Sequence, residues 1–291
     1  MRATTEALKR LDIAKRVAQA YAKLDGVDSL AVGGSTARGN ADRFSDVEIW
    51  MTYSSLPDEE ARKQILNKLD ESGHPVLMKD LEGGAKLAET FRVSGVQVSI
   101  LPGTNDDLLS VGIDIEKHLG EPSEKGLADF HDCVVLYDPK GLYETVKRRL
   151  ENYPVDLGIR LIKRKLYEVV KICAVDIPRA LRNGNWLWIL DSRSTAQEAL
   201  LRVVFALNRD YFPRVKDAEW LILSMAHVPK GFLKGISEYA REPDIRKARK
   251  MLINLTKDLI SLVEQIWPQA IDGDTVTWLD RLSEDVIPVL D

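Results

Sequence analysis

The 291-residue chain is poor in the residues from which metal centres and cross-linked folds are built. It has two cysteines, Cys133 and Cys173, and four histidines, His74, His118, His131 and His227. The cysteines have no metal-ligand spacing and lie in apolar surroundings, which reads as buried free thiols in a reducing compartment. No two histidines stand at a ligand spacing either, so each is read as a surface or packed residue. Long apolar runs are missing too, and the first segment is an amphipathic charged helix instead of a signal peptide, so no membrane partner and a cytoplasmic location are expected. There is no excess of basic charge: the formal net charge is −4. That argues against an extended nucleic-acid-binding surface, although not against a local basic patch. Repeats and low-complexity segments are absent. What remains is an ordinary globular composition, long enough for two cores.

The chain is organised around Leu30 to Met51. Leu30 to Val32 reads as a buried strand broken at Gly33-Gly34. Ser35 and Thr36 suit the start of a short helix, whose free N–H groups favour an anion. After ten intervening residues a second strand-like run begins, Asp46-Val-Glu-Ile-Trp-Met51. Its period of two places Asp46 and Glu48 on one face, with Val47 and Ile49 turned into a core. Two carboxylates side by side repel, and a hard cation between them relieves the repulsion. Mg²⁺ is the ion usually held by one or two carboxylates plus substrate phosphates. A phosphate cradle beside such a pair is equipment for phosphoryl or nucleotidyl transfer.

The arrangement Gly34-Ser35, ten residues, then Asp46-x-Glu48 resembles the signature of the DNA polymerase β-type nucleotidyltransferase superfamily. The setting from Gly33 to Ile49, GGSTARGNADRFSDVEI, is most similar to its small-molecule, antibiotic nucleotidyltransferase branch. VVLYDPKG, from Val134 to Gly141, also recurs there at the end of the catalytic domain. ALNRDYFPRVK, from Ala206 to Lys216, is similar to the helical domain that closes over the cleft. The resemblance implies a mixed-sheet α/β nucleotidyltransferase domain over residues 1–152 and an all-α bundle over 153–291 that closes over the site and binds the acceptor. It implies NTP as donor, with AMP from ATP expected, two Mg²⁺ ions on Asp46 and Glu48, and Gly34 and Ser35 on the triphosphate with Arg38 beside them. Asn208, Tyr211 and Lys216 would contact nucleotide or acceptor; a salt-bridged helix end and a tight turn is the competing reading. The acceptor would be a hydroxyl of a small molecule. Asp191 and Glu198 could serve an aminoglycoside, and a lincosamide-like acceptor would not need them. A protein or RNA 3′ end is the alternative acceptor.

One departure stands out. The superfamily commonly carries a third carboxylate on the strand that here reads Val96-Gln-Val-Ser-Ile-Leu101. Gln97 occupies the acid's place by pattern and Ser99 by the alternative register, and neither takes up a proton at neutral pH. Three possibilities stay open: a base from Glu89, Asp106, Asp107, Asp114 or Glu116; transfer without a dedicated base; or a lapsed NTP-binding module.

Elsewhere, helices are expected from Ala7 to Leu24 (with Arg2, Lys9, Arg10, Lys15 and Arg16 as its solvated face), from Pro57 to about Glu71, from Asn105 to about His118, from Ser123 to about His131, and from Gly141 to Asn152. Ser94-Gly95 marks a hairpin, with Pro102-Gly103 ending its second strand, and Pro75 to Met78 and Cys133 to Tyr137 read as strands. The breaks around Pro154 set the domain boundary. Four helices follow, centred on Leu161–Ile172, Ile189–Leu207, Leu221–Met225 and Ile245–Trp267. Asp191, Thr195, Glu198 and Arg202 lie on one helical face. Trp186 and Trp188 are read either as core or as stacking surfaces for a ring. Val286 to Asp291 reads as a frayed or docked tail.

Overall fold

The computed structural model describes residues 3–77, 88–116 and 124–283, with the side chains of 114, 116 and 283 left aside. The expectations for Met78, His118 and the 286–291 tail lie outside those residues. The chain forms two compact units, Met1–Asn152 and Tyr153–Asp291.

The first unit is built on a five-stranded mixed sheet. Helix α1 (Thr5–Tyr21) leads into β1 (Val27–Val32), the short α2 (Gly34–Arg38) and β2 (Val47–Tyr53). Then come α3 (Glu59–Leu69), β3 (Glu89–Val93) and β4 (Val96–Thr104), followed by α4 (Asn105–Ser110) and α5 (Ile113–Glu116). The unit closes with α6 (Glu124–Asp132), β5 (Val134–Tyr137) and α7 (Leu142–Glu151). Strand order is β3-β4-β2-β1-β5, with β2 and β4 parallel and the other pairs antiparallel. Ser94 and Gly95, with φ of 52° and 74°, make the tight hairpin turn in which both central residues have positive φ.

Alternation along the strands sorts the two faces. Leu30, Val32, Val47, Ile49, Met51, Val98 and Ile100 pack under Ile13, Val17 and Tyr21 of α1 and Leu66 of α3 as one core. The opposite face carries Glu48 and Trp50, with Trp50 against Phe130 of α6 at 4.9 Å between ring centroids.

Four local expectations change. Arg10 is 2% exposed, not solvated. Pro102-Gly103 does not end the strand: β4 runs on beside β2 to Thr104, where it has passed the end of β3, so a missing N–H is tolerated. The helix expected from Asn105 breaks at Gly112, whose φ of +78° is left-handed. Glu89 is fully buried; it accepts from the Tyr21 hydroxyl at 2.6 Å and from the Arg62 guanidinium. A carboxylate with a buried cation and a phenol on it ties α1 and α3 to β3 and is not free to act as a base.

The second unit is all helical among the described residues. Helix α8 (Val155–Lys171) passes through a π-helical turn (Ile172–Asp176) into α9 (Ile177–Arg182). Then follow α10 (Trp186–Leu207), α11 (Val215–Ile222), α12 (Phe232–Arg241), α13 (Ile245–Ile266), a 3₁₀ turn at Pro268–Ala270 and α14 (Gly273–Ser283). Helices α9, α12 and α14 and the π turn were not expected from the sequence, and the helix read around Leu221–Met225 lies earlier, at Val215–Ile222. Pro178 explains the turn: it has no N–H for the Ala174 carbonyl, and its ring would strike it. The helix widens, so Ile177 N–H bonds Ile172 O. The freed Cys173 carbonyl accepts from the buried Arg249 Nε of α13 at 2.7 Å. Trp186 is 61% exposed, which rules out the core reading for it, and Trp188 is half-buried.

The Glu89 network makes the first prediction. Glu89→Ala strands the buried Arg62 charge and should cost about 3–5 kcal/mol of stability. Urea unfolding measures it, and Glu89→Gln should cost less, because a hydrogen-bond acceptor survives.

Candidate functional site

The turn between β1 and α2 exists because two glycines permit it. Gly33 lies flat against the indole of Trp50; a Cβ there would come within 2.4 Å of the ring. Gly34 has φ +61°, a left-handed conformation that costs an L side chain strain, and its Cβ would stand 3.0 Å from Glu48 Oε2. Gly33 N–H also donates to the Glu48 carbonyl at 3.0 Å. Backbone and carboxylate are thus held in contact. The α2 amides of Gly34, Ser35 and Thr36 are those no carbonyl within the helix can serve, since the first internal bond is Ala37 N to Gly33 O. Ser35 is half-buried in this first turn.

Asp46 stands one residue ahead of β2 and is exposed; Glu48 is half-buried. The Asp46 carbonyl accepts a long 3.5 Å bond from Thr36 Oγ1. Among the described residues neither carboxylate has a Lys, Arg or His ion-pair partner. Two bare acids two residues apart, beside open amides and a glycine that leaves room at Glu48, fit a hard divalent ion and its phosphate.

Asp46 is placed by the 39–45 loop, which is braced from α1. Arg10 of α1 reaches across to donate from Nε to the Ser45 carbonyl at 2.7 Å, and its Nη1 donates to Glu6 Oε2 at 2.5 Å. Thr4 N–H donates to Gly39 O at 2.9 Å and Thr4 Oγ1 to Ala41 O at 2.6 Å. Inside the loop, Asp42 Oδ1 accepts from the N–H groups of Phe44 and Ser45, each at 2.9 Å, and from Ser45 Oγ at 3.0 Å. A Glu and an Arg four apart on a helix look like a solvated pair, so nothing in the pattern marks Arg10 out.

Register separates Ser99 from Gln97. Glu48 pairs directly with Ser99, and Ser99 with Thr90, whereas Gln97 is exposed near the hairpin turn and pairs with Arg92. Ser99 is therefore the residue on the strand beside Glu48. Of the substitute bases, Glu89 faces the other core and Asp107 closes a capping box with Thr104. Asp106 is exposed at the far end of β4. The side chains of Asp114 and Glu116 lie outside the description.

Arg38 has another duty. Its side chain, 3% exposed, is held at 2.7 Å by Asp132 and at 2.7 Å by Asp129, so it ties α2 to α6 and is not a spare cation for phosphate. In the second unit, Asn208 staples the end of α10: Nδ2 donates to Val204 O and His227 O, and Oδ1 accepts from His227 N–H, all at 2.8 Å. Tyr211 is buried against Tyr153, and burial pushes its phenol up to about 12. Both are structural here. Lys216 is exposed on the first turn of α11, Asp191 is exposed on α10, and Glu198 is paired with Arg202 at 2.8 Å.

Gly34→Ala should cost about 1–3 kcal/mol through the left-handed φ, as read by urea unfolding, and Arg10→Met should make the 40–45 loop a site of limited proteolysis that it is not in the wild type. A third prediction concerns acid. Burial works to raise the Asp132 pKa, but His131 and Arg38 outweigh it and hold the carboxyl below its ordinary value. Its contribution to stability is present above the unfolded value of about 3.9 and lost as pH falls through the lower folded one. Asp132→Asn should flatten stability against pH below about pH 4, as read by thermal melts.

A family model described as "Domain of unknown function (DUF4037)" matches residues 121–221. No curated protein matches the chain. Among solved structures it is similar to a nucleotidyltransferase-like protein from Exiguobacterium sibiricum, with 12% identity over 97% of this chain and 90% of that one and a TM-score of 0.43.

Proposed function

We propose that the first unit is a Mg²⁺-dependent nucleotidyltransferase centre that moves a nucleoside monophosphate, AMP from ATP in the first instance, to a hydroxyl of a small molecule. The observation that carries this is the contact of Gly34 with the Glu48 carboxylate: an amide-bearing turn with no Cβ, set against an acid that lacks a cationic partner. The first-turn amides of α2 hold the triphosphate, Ser35 adds a hydroxyl, and Asp46 and Glu48 are the metal ligands. Mg²⁺, when bound, supplies charge neutralisation on the phosphate oxygens. The chain's own work is positioning, with the Arg10–Ser45 link keeping Asp46 in line and the Trp50 indole keeping the Gly33 backbone in place.

Ser99 beside Glu48 cannot take the acceptor's proton, and no other described acid of the sheet stands in for it. The reading is therefore transfer driven by orientation and electrostatics, at a modest rate. On the acceptor side, Asp191 and Glu198 remain the candidates for a cationic compound. Since Glu198 is already neutralised by Arg202, a weakly charged acceptor of the lincosamide kind fits at least as well as an aminoglycoside. Ser99 also favours a second reading, an NTP-binding module that does not turn over.

Pyrophosphate release with Mg²⁺, NTP and a panel of small hydroxylated acceptors separates the two. The transferase reading expects acceptor-dependent release that falls by about two to three orders of magnitude in Asp46→Asn and Glu48→Gln. Binding without release in any combination supports the module, and unchanged release in both variants overturns the site. Ser99→Asp should raise turnover by about tenfold or more by restoring a proton acceptor, while Gln97→Asp should not.

A further inference from the structure

Phe44 stands two residues before Asp46, and its side chain is 79% exposed. Its chain neighbours Asp42, Arg43 and Ser45 are polar. A fully exposed phenyl on a loose loop would mean little, but this loop is not loose. The Phe44 N–H itself is bound by Asp42 Oδ1, the Ser45 carbonyl is held by Arg10, and Ala41 and Gly39 are held by Thr4. The backbone that carries the ring is thus held on one side by Arg10 of α1 and on the other by Thr4, the N-cap of α1. Arg43, exposed as well, lies with its guanidinium carbon 4.5 Å over the ring centroid. That contact covers one face of the phenyl and holds the ring in a defined plane. With so much of the side chain exposed, the opposite face is left to solvent.

We propose that this open face of Phe44, backed by Arg43, is the stacking platform for the nucleobase of the donor nucleotide and sets a preference for purines. The inference rests on the donor reading above, with the triphosphate at Gly34-Ser35 and the metal ligands at Asp46 and Glu48. A nucleotide joins a flat π-system to a polyanion, and the Arg43–Phe44 pair offers one partner to each. Stacking needs no hydrogen-bond code, because every base has a π-face, but a two-ring purine covers more of the phenyl than a pyrimidine. Nothing about the ring favours a sugar or an aliphatic acceptor over a base.

The test is equilibrium binding of Mg²⁺ complexes of ATP, GTP, CTP and UTP, and of inorganic tripolyphosphate, to the full chain. Wild type, Phe44→Ala, Phe44→Tyr and Asp46→Asn are compared. The expectation is that wild type prefers ATP and GTP, and that Phe44→Ala weakens both by about five- to a hundredfold. The purine preference should go with it, tripolyphosphate binding should stay unchanged, and Phe44→Tyr should behave as wild type. If Phe44→Ala binds ATP as wild type does, no base lies on the ring and the proposal is overturned. If it loses tripolyphosphate as well as ATP, the residue acts on the loop and not on a base, and the proposal is equally overturned. Asp46→Asn reports on the donor site itself: retained ATP and tripolyphosphate binding there would refute the donor reading while the Phe44 comparison still stood. A wild type that binds neither would take both down.

Discussion

Contact between the Gly33-Gly34 backbone and β2 is the constraint on which the rest of the first unit depends. Trp50 fills the space a side chain at 33 would need, and Glu48 fills the space a side chain at 34 would need. Both strand residues belong to the same face of β2, so the turn can lie against that face only if neither position has a Cβ. Once it does, the unserved amides of α2 and the carboxylate of Glu48 are neighbours without any further design. The indole is fixed in turn by Phe130, and the ring system continues to Tyr143 of α7. The site is thus supported from beneath by aromatic packing and not by a polar network. Such support needs no buried charge beneath the turn.

A second constraint acts from the side. Arg10 is a buried cation with its charge met by Glu6 and its Nε met by the Ser45 carbonyl. Together with Thr4 it makes the first helix a brace for the loop that ends in Asp46. That helix therefore does two jobs: its apolar face covers the sheet, and its N-terminal polar residues fix the approach to the acid pair. Helix α6 does the same for α2 through Asp129 and Asp132 on Arg38. Arg10 and Arg38 are both spoken for by the fold. Among the described residues the two signature acids are left without a cationic partner.

The glycines, the period of two along β2 and the tight hairpin at Ser94-Gly95 were legible in the sequence because each is a local steric requirement. So was the mixed α/β character of the first half followed by helices alone. Residues whose partners are remote in sequence were not legible. Arg10 looks like any helix-surface arginine until Ser45 is seen, 35 residues on. Arg38 and Glu89 look like available site residues until Asp132 and Arg62 take them. Asn208 and Tyr211 sit in a segment rich in polar and aromatic residues that reads as ligand-binding, yet one is a helix-end staple and the other is core. In all these cases residue type signals chemistry, but burial decides whether that chemistry is spent within the fold.

Register carries the same lesson to the missing acid. By pattern Gln97 takes the acid's place, with Ser99 as the alternative register on the same face of β4. Only the parallel pairing of β4 with β2 puts Ser99, and not Gln97, opposite Glu48. A hydroxyl in that place donates and accepts hydrogen bonds but holds no negative charge, so the cluster is one charge short of a three-carboxylate site. Less charge means weaker repulsion between the acids and a weaker hold on a second cation. It also means less need for neutralisation when no substrate is bound, which is consistent with two acids that stand bare in the folded chain. On the proposed reading, such a centre would lean on the substrate's own phosphates to complete the coordination, and the Gly33-Gly34 turn would matter more to it than a base.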